Sequence, residues 1–347
     1  AGGVRPCRPR PRRPLARAAL APQCRAMNRS PSWGVVATVK APTRDILDFA
    51  AHHLDLGAHR VFIYLDADNP VARAALKAHP KCRVIVTDAA YWRRRKGRPD
   101  KHQTRQSINA THCYQRRRDV DWLLHADVDE FLWPLSDSIG PALAGQPDEV
   151  ISARVRPIEA MAPDPDDPPI AGVTWMKGFS LQRDSRRRKT AEIYPTYGLH
   201  LNGGFLSHVA GKVFVRTGHD GVGLRIHNAF RDGRPDPDPT ELPGLRLCHL
   251  HASSWESFRA AYRFRLAQGS YRKDLKPAPL AGEQGLNMHA LFSMLETEGG
   301  ERALCDFYRE VCTATPELRA RLEAHGQLHA VRLDLDAKRH AHFGDSG

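Results

Sequence analysis

The sequence has no long hydrophobic segment and no regular cysteine spacing. None of its apolar runs approaches the roughly 18–20 residues that a membrane-spanning helix needs, and the mean hydropathy is −0.50. Its seven cysteines are odd in number, widely spread and free of any CxxC pair. This pattern favours reduced thiols in a cytosolic setting over a disulfide framework or a cysteine zinc site. We therefore predict a cytoplasmic protein, either soluble or held peripherally at a membrane.

An even basic surface and a nucleic-acid-binding motif are also missing. The 347-residue chain has a formal net charge of +13. Residues 1–26, 91–118 and 183–189 together carry +20, which leaves −7 on all the other residues. No zinc finger, helix-turn-helix or RNP-type aromatic motif accompanies these segments. Nucleic-acid binding is therefore disfavoured, and the basic segments are better read as local sites for anions.

The composition changes near the first methionine, Met27. Residues 1–26 consist mainly of arginine, proline, alanine and glycine, with seven arginines and no acidic residue. We predict that they form a disordered tail that the fold does not need. Residues 27–150 and 151–285 are predicted to form the two halves of one domain, and residues 286–347 a helical C-terminal extension.

The first half alternates short β-type runs with helical patterns. Runs rich in β-branched residues predict strands, and the stretches between them carry apolar residues at helical spacing. Thr43 is predicted to cap the first helix and Gly57 to end it. This alternation indicates a parallel α/β sheet, whose ligands bind at the carboxyl ends of the strands. The strands are predicted at Gly34–Lys40, Arg60–Leu65, Arg83–Thr87 and Asp121–Ala126, with helices from Thr43 and over Val71–Ala78 and Asp100–Arg117.

The alternation of predicted strands and helices is less regular in the second half of the domain, residues 151–285. Loops are predicted over Glu159–Pro169 and Asp232–Pro243, where proline and aspartate are frequent. The basic clusters Arg93–Arg98 and Arg186–Lys189 are also predicted in loops, where they could meet anionic lipid head groups or an acidic glycan. Predicted strands cover Glu149–Arg156, Val209–Arg216 and Leu245–Leu250, and predicted helices cover Ser254–Ala267 and, with a break near Gly299–Gly300, residues 287–327.

Three acidic residues, Asp127, Asp129 and Glu130, directly follow a predicted buried strand. Close carboxylates disfavour one another unless a cation or a proton neutralises them. Asp127 and Asp129 are two positions apart, so in an extended chain both point to the same side. Two such carboxylates make an oxygen-rich site for Mg²⁺ or Mn²⁺. A solvated acidic turn is the structural alternative.

Several motifs, in order, resemble one enzyme family. The run WLLHADVDEFLW at 122–133 is similar to the DxD signature of family 2 glycosyltransferases, in a subgroup similar to family 92. The resemblance includes DFAAHHLDLGAHRVFIYLD at 48–66, GKVFVR at 211–216, IHN at 226–228 and CHLHASS at 248–254. It implies a GT-A-type, Rossmann-like mixed sheet flanked by helices, over about residues 33–266.

The resemblance also implies an activity. It is transfer of a sugar from a nucleotide-sugar donor to a hydroxyl of a carbohydrate or lipid-linked acceptor, with inversion at the anomeric carbon. A divalent metal ion, Mn²⁺ or Mg²⁺, would neutralise the leaving diphosphate as a Lewis acid.

By the same resemblance, the catalytic residues are Asp127, Asp129 and Glu130. Asp129 is implied as the direct metal ligand, and Asp127 as the residue nearest the ribose and the metal. Glu130 is implied beside them, where a carboxylate can orient the ligands. Asp66, after the second strand, matches the position that contacts the base or ribose. His249 fits the family's C-terminal metal-ligating histidine, with His251 two residues further on.

The sequence leaves two features of the site open. Donor binding is predicted for Lys101, which shares one face of the predicted helix from Asp100 with Arg105, His112 and Arg116; a solvated face is the alternative. An inverting transfer needs a catalytic base, and the family's Glu-Asp pair is not evident. The candidate bases are Glu159, Asp164, Asp166 and Asp167.

Two other functions compete with the glycosyltransferase hypothesis. One is a basic protein that binds nucleic acid or anionic membranes on a degenerate transferase scaffold, which predicts salt-dependent binding that survives loss of Asp127 and Asp129. The other is a nucleotidyltransferase, which would release pyrophosphate rather than a nucleoside diphosphate.

Overall fold

The computed structural model describes residues 2–3, 30–116, 119–135, 138–267 and 286–344. The chain divides into two units, residues 1–30 and 31–347. Only three residues of the first unit are described, so the prediction of a disordered tail over 1–26 lies almost entirely outside the described residues. The fold and site below belong to the second unit.

Thirteen strands lie in the described part of the chain. Most of them form one mixed sheet, and β9 to β11 form a separate small antiparallel sheet. The strands are Trp33–Val39 (β1), Arg60–Leu65 (β2), Cys82–Val86 (β3), Trp122–His125 (β4), Glu130–Pro134 (β5), Ser152–Ala160 (β6), Thr174–Lys177 (β7), Lys212–Arg216 (β8), Val222–Leu224 (β9), Ala229–Arg231 (β10), Arg234–Pro235 (β11), Thr240–His249 (β12) and Leu328–Val331 (β13).

Ten α-helices and one short 3₁₀-helix, Gly198–His200, accompany these strands in the described ranges. The α-helices are Thr43–Asp55 (α1), Pro70–Ala78 (α2), Ala89–Arg93 (α3), His102–Arg116 (α4), Ile139–Ala144 (α5), Arg183–Ile193 (α6), Trp255–Ala267 (α7), Met288–Cys312 (α8), Pro316–Ala324 (α9) and Leu335–Phe343 (α10).

The large sheet combines a parallel half with an antiparallel half. Strands β3, β2, β1 and β4 lie side by side and run parallel, as predicted. Strand β8 pairs antiparallel with β4 and β6, and β7 and β13 continue the sheet beyond β6. Strand β12 pairs parallel with β6 and antiparallel with β5. The predicted Rossmann-like mixed α/β fold is confirmed.

Strand β1 is buried along its whole length because helices cover both faces of the sheet. Val35 belongs to the same hydrophobic cluster as Ile46 of α1, whereas Val36 belongs to a second cluster with Ala110 and Cys113 of α4. Burial on both faces explains the continuous apolar sequence of this strand. It also leaves the carboxyl ends of the parallel strands as the edge where a cleft can open.

The C-terminal segment contains the expected helices and two elements that the sequence pattern did not predict. Helix α8 is kinked at Gly300, whose φ is 57°, near the predicted break. Strand β13 pairs with β7 in the large sheet. Helix α10 packs against α1, where Arg339 forms an ion pair with Asp48 and Lys338 Nζ lies 3.2 Å from Asp55 Oδ2. This segment is therefore built into the domain as well as being largely helical.

Several local predictions are wrong, and one is the loop over Asp232–Pro243, which contains β11 and the first four residues of β12. Thr43 does not cap α1; it is the first helical residue, and its hydroxyl donates to Asn69 Oδ1 (3.1 Å), the atom that caps α2. Arg186–Lys189 lie in α6 rather than a loop, because Arg and Lys favour helix and no glycine or proline interrupts that stretch. Glu159 lies in β6, because pairing with β12 reaches Glu159 and pairing with β7 continues the strand to Ala160.

Two features of the described residues concern apolar helices and cysteines. No helix among them is both long and apolar enough to cross a membrane. The five cysteines described as free thiols are Cys82, Cys113, Cys248, Cys305 and Cys312. All of them except Cys305 are buried.

Candidate active site

A cleft of about 950 Å³ opens at the carboxyl ends of β1 and β4. The residues that follow these strands form one wall, and the end of β12 with segment 205–209 forms another. Side chains from α4, α7 and the start of α8 complete it. The cleft therefore lies at the edge of the sheet where the sequence predicts ligand binding.

Residues 127–130 form a tight turn between β4 and β5. The Glu130 N–H donates to the Asp127 carbonyl (3.0 Å), and the Asp127 N–H donates to Glu130 Oε2 (2.8 Å). The expectation that Asp127 and Asp129 lie on one side of an extended strand is wrong, because β4 ends at His125 and the chain has turned by Val128. The two aspartates have different partners.

Lys212 of β8 is an internal counter-ion for two of the three acids. Its Nζ lies 2.8 Å from Asp127 Oδ2 and 3.2 Å from Glu130 Oε2, and the side chain is fully buried. Gln106 donates to the other carboxylate oxygen of Asp127. Burial opposes ionisation, but the Lys212 ammonium holds the pKa of Asp127 below its usual range. Lys212 therefore neutralises part of the acidic charge, for which the sequence predicts a metal ion or a proton.

Asp129 lies beside two histidines instead. Asp129, His249 and His251 each offer one ligand atom, and these three atoms lie within 4.8 Å of one another. Strand pairing brings them together: β12 places His249 opposite Glu130 of β5, and the Leu250 N–H donates to the Asp129 carbonyl (2.9 Å). A metal about 2.0–2.3 Å from each ligand holds such atoms within roughly 4.5 Å. The group needs only a small adjustment to bind one.

The charges of this group favour exchange of a proton for a metal. His249 Nε2 lies 3.2 Å from Asp129 Oδ2. Burial lowers the pKa of His249, but the Asp129 carboxylate outweighs this effect and raises the pKa to about 9. Burial and the Arg265 guanidinium lower the pKa of His251 to about 3. A metal ion would therefore displace one proton from His249 and find His251 already neutral.

Asp66 lies at the end of β2, in the wall of a second cavity of about 590 Å³. Its carboxylate is 2.8 Å from Arg105 Nε and 3.0 Å from Arg98 Nη2, and Thr87 donates to its other oxygen (3.2 Å). Burial opposes ionisation of Asp66, but hydrogen bonds from His102, Arg105 and Arg98 hold its pKa below the usual range. Asp66 is thus a carboxylate neutralised by the groups around it. One of these groups, His102, also lines the main cleft.

The predicted basic stripe on α4 does not form one surface. Lys101 precedes the helix, is exposed and lines neither cavity. Arg105 is buried against Asp66, and His112 contacts the Tyr64 hydroxyl (2.8 Å). The reason is that Arg105 and His112 turn towards Asp66 and Tyr64 at β2, whereas Lys101 and Arg116 are exposed. Donor binding by Lys101 stays a prediction.

None of the four predicted catalytic bases lines the cleft. Glu159 is fully buried, with Lys177 Nζ 3.2 Å from its carboxylate. The other three lie near the C-terminal helices, where they form ion pairs: Asp164 and Asp166 with Arg309, and Asp167 with Arg319.

The sequence analysis did not identify several polar residues of the cleft, among them Lys40, Asp45, Gln106 and Arg265. None of them lies in a motif that marks a role, because their position depends on how separate elements meet. Lys212 lies in the GKVFVR motif, which gave no hint that its side chain faces two acids.

Comparisons with known proteins give distant similarities to solved structures. No family model and no curated protein sequence matches the chain. Among solved structures, HddC from Yersinia pseudotuberculosis aligns over 63% of this chain and 76% of its own, with 7% identity and a TM-score of 0.26. The apo form of mouse xyloside xylosyltransferase 1 aligns over 53% of this chain and 66% of its own, with 10% identity and a TM-score of 0.27.

Proposed function

We propose that the protein is a metal-dependent glycosyltransferase that moves a sugar from a nucleotide-sugar donor to an acceptor hydroxyl, with inversion. The observation that carries this proposal is the Asp129, His249 and His251 group inside a cleft at the carboxyl edge of a parallel sheet. The ordered motifs that resemble family 2 glycosyltransferases agree with it. A carbohydrate or lipid-linked acceptor fits the same reading.

The donor set points to the metal. One carboxylate and two imidazoles suit Mn²⁺ better than Mg²⁺, because Mg²⁺ prefers oxygen ligands and retains its water. Such an ion, when bound, neutralises the charge that develops on a leaving diphosphate. Asp129, His249 and His251 would hold it.

The other cleft residues have separate tasks. Lys212 and Gln106 fix the Asp127 carboxylate from two sides, so Asp127 is oriented before a donor arrives. Lys40 lines the cleft as a cation and is suited to a phosphate. The cavity beside Asp66 adjoins the ends of β2 and β3, and we assign it to the nucleoside.

Asp45 at the start of α1 is our candidate for the catalytic base. It is the cleft-lining carboxylate for which the described residues provide no hydrogen bond or ion pair. Partial desolvation of this exposed side chain, with Asp48 and Asp129 nearby, raises its pKa. A base must be able to accept a proton near neutral pH, and Asp127, Asp129 and Glu130 are all held by cations.

Thermal unfolding with Mn²⁺ and nucleotides tests the donor site. We expect Mn²⁺ with UDP or GDP to raise the melting temperature of the wild type, since a ligand that binds only the folded state stabilises it. Asp129→Ala should abolish this increase, whereas Asp184→Ala, an exposed change on α6, should retain it. An increase that Asp129→Ala leaves intact would place the nucleotide elsewhere. Release of pyrophosphate during turnover would identify a nucleotidyltransferase.

A further inference from the structure

Arg265 of α7 reaches into the cleft and contacts His251. Its Nη1 donates to His251 Nε2, and its Nη2 lies 3.1 Å from His251 Nδ1. A guanidinium is a donor only and stays charged in proteins. It therefore occupies the lone pair of a histidine that belongs to the metal-binding group.

This contact and metal binding exclude each other. A metal ion bound by His251 needs the ring-nitrogen lone pair that now accepts from Arg265. A guanidinium next to a divalent cation would also be repelled. Arg265 must therefore leave His251 when the ion arrives, and an anion bound in the cleft would then attract the guanidinium.

The four acids among the described residues that line the cleft have other tasks. Asp127 and Glu130 share Lys212, Asp129 would ligate the metal, and Asp45 is our candidate base. A diphosphate bound in the cleft would supply an anion with the planar, two-oxygen edge that arginine binds in bidentate fashion.

We propose that Arg265 is a diphosphate-binding residue that exchanges His251 for the donor's phosphates when the metal binds. The inference rests on the proposed function, since it requires metal and nucleotide in this cleft. Its consequence is that metal and nucleoside diphosphate bind cooperatively through one side chain. Because such coupling is reciprocal, each ligand increases the binding affinity of the other by the same factor.

Calorimetric titration of the full chain with Mn²⁺, in the presence and absence of UDP, tests the exchange. In the wild type we expect UDP to tighten Mn²⁺ binding by at least about fivefold. Arg265→Ala should bind Mn²⁺ alone more tightly than the wild type, because His251 is no longer occupied. In this variant, the factor by which UDP tightens Mn²⁺ binding should be at least about fivefold smaller than in the wild type. Part of this tightening should persist, because the diphosphate would also coordinate the metal directly.

Arg263→Ala, an exposed change on the same helix, is the matched control and should behave like the wild type. Its melting temperature and that of Arg265→Ala verify that both fold. If Arg265→Ala binds Mn²⁺ no better than the wild type and shows undiminished coupling to UDP, the exchange is refuted while the metal site stands. If no variant binds Mn²⁺ with or without UDP, the proposed function falls and the exchange falls with it.

Discussion

Replacement of Lys177 by methionine should destabilise the protein strongly, because it breaks a buried ion pair. Lys177 Nζ lies 3.2 Å from Glu159 Oε2 and donates to the Val311 carbonyl (2.6 Å). The two side chains are 0% and 1% exposed. Removal of one partner from such a pair costs about 3–5 kcal/mol. We expect the lower end, about 3 kcal/mol, because Glu159 would keep two backbone N–H donors, those of Leu206 and Ser207.

The loss of stability in Lys177→Met should depend on pH in a defined direction. Burial opposes ionisation of Glu159, but Lys177 lowers its pKa from 4.5 to about 2. A lowered acid pKa contributes stability above the unfolded value and loses it as pH falls through the folded value. The wild type should therefore lose this contribution between about pH 4.5 and pH 2. In Lys177→Met the Glu159 pKa rises, so the difference from the wild type should shrink as the pH falls below 7.

Urea unfolding followed by circular dichroism at pH 7 and pH 4 measures both effects. Lys77→Met, an exposed change on α2, is the control and should stay within about 0.5 kcal/mol of the wild type. The double variant Glu159→Gln with Lys177→Met should recover part of the loss, because no buried charge then lacks a partner. A difference below about 1 kcal/mol at pH 7, or one that does not change with pH, would refute the reasoning.

Two further predictions concern the cleft. Lys212→Met should cost about 3–5 kcal/mol in urea unfolding, because it leaves Asp127 and Glu130 without their cation; a variant that unfolds like the wild type and still binds UDP with Mn²⁺ would show that the lysine has no such role. Asp45→Asn should lower kcat by about 10²–10⁴ while the thermal effect of Mn²⁺ with UDP persists, since a base acts on the acceptor. Full activity of Asp45→Asn would remove Asp45 as the base.

Much of the parallel half of the fold could be predicted from the sequence. Arg60–Leu65 was predicted with its observed bounds, because a short β-branched run between polar ends has few alternatives. The position of Asp129 at the edge of the sheet follows from the same regularity. Strand β13 could not be predicted, because its four residues become a strand only by pairing with β7.

Charge pairing was the hardest part of the site to predict. Lys212 is 85 positions from Asp127, so their contact depends on β8 lying next to β4. The same holds for Asp45 and Arg265, which reach the cleft from helices far apart in the chain. A sequence pattern shows which acids follow a strand, but not which cations the fold brings to them.

The central claim is that this cleft transfers a sugar from a nucleotide donor with the help of a metal held by Asp129. The most direct measurement is release of nucleoside diphosphate from a panel of nucleotide-sugars in the presence of Mn²⁺, with Asp129→Ala beside the wild type. We predict release from at least one donor by the wild type and a loss of about 100-fold or more in the variant. Equal release by both proteins, or no release from any donor in the panel, would contradict the claim.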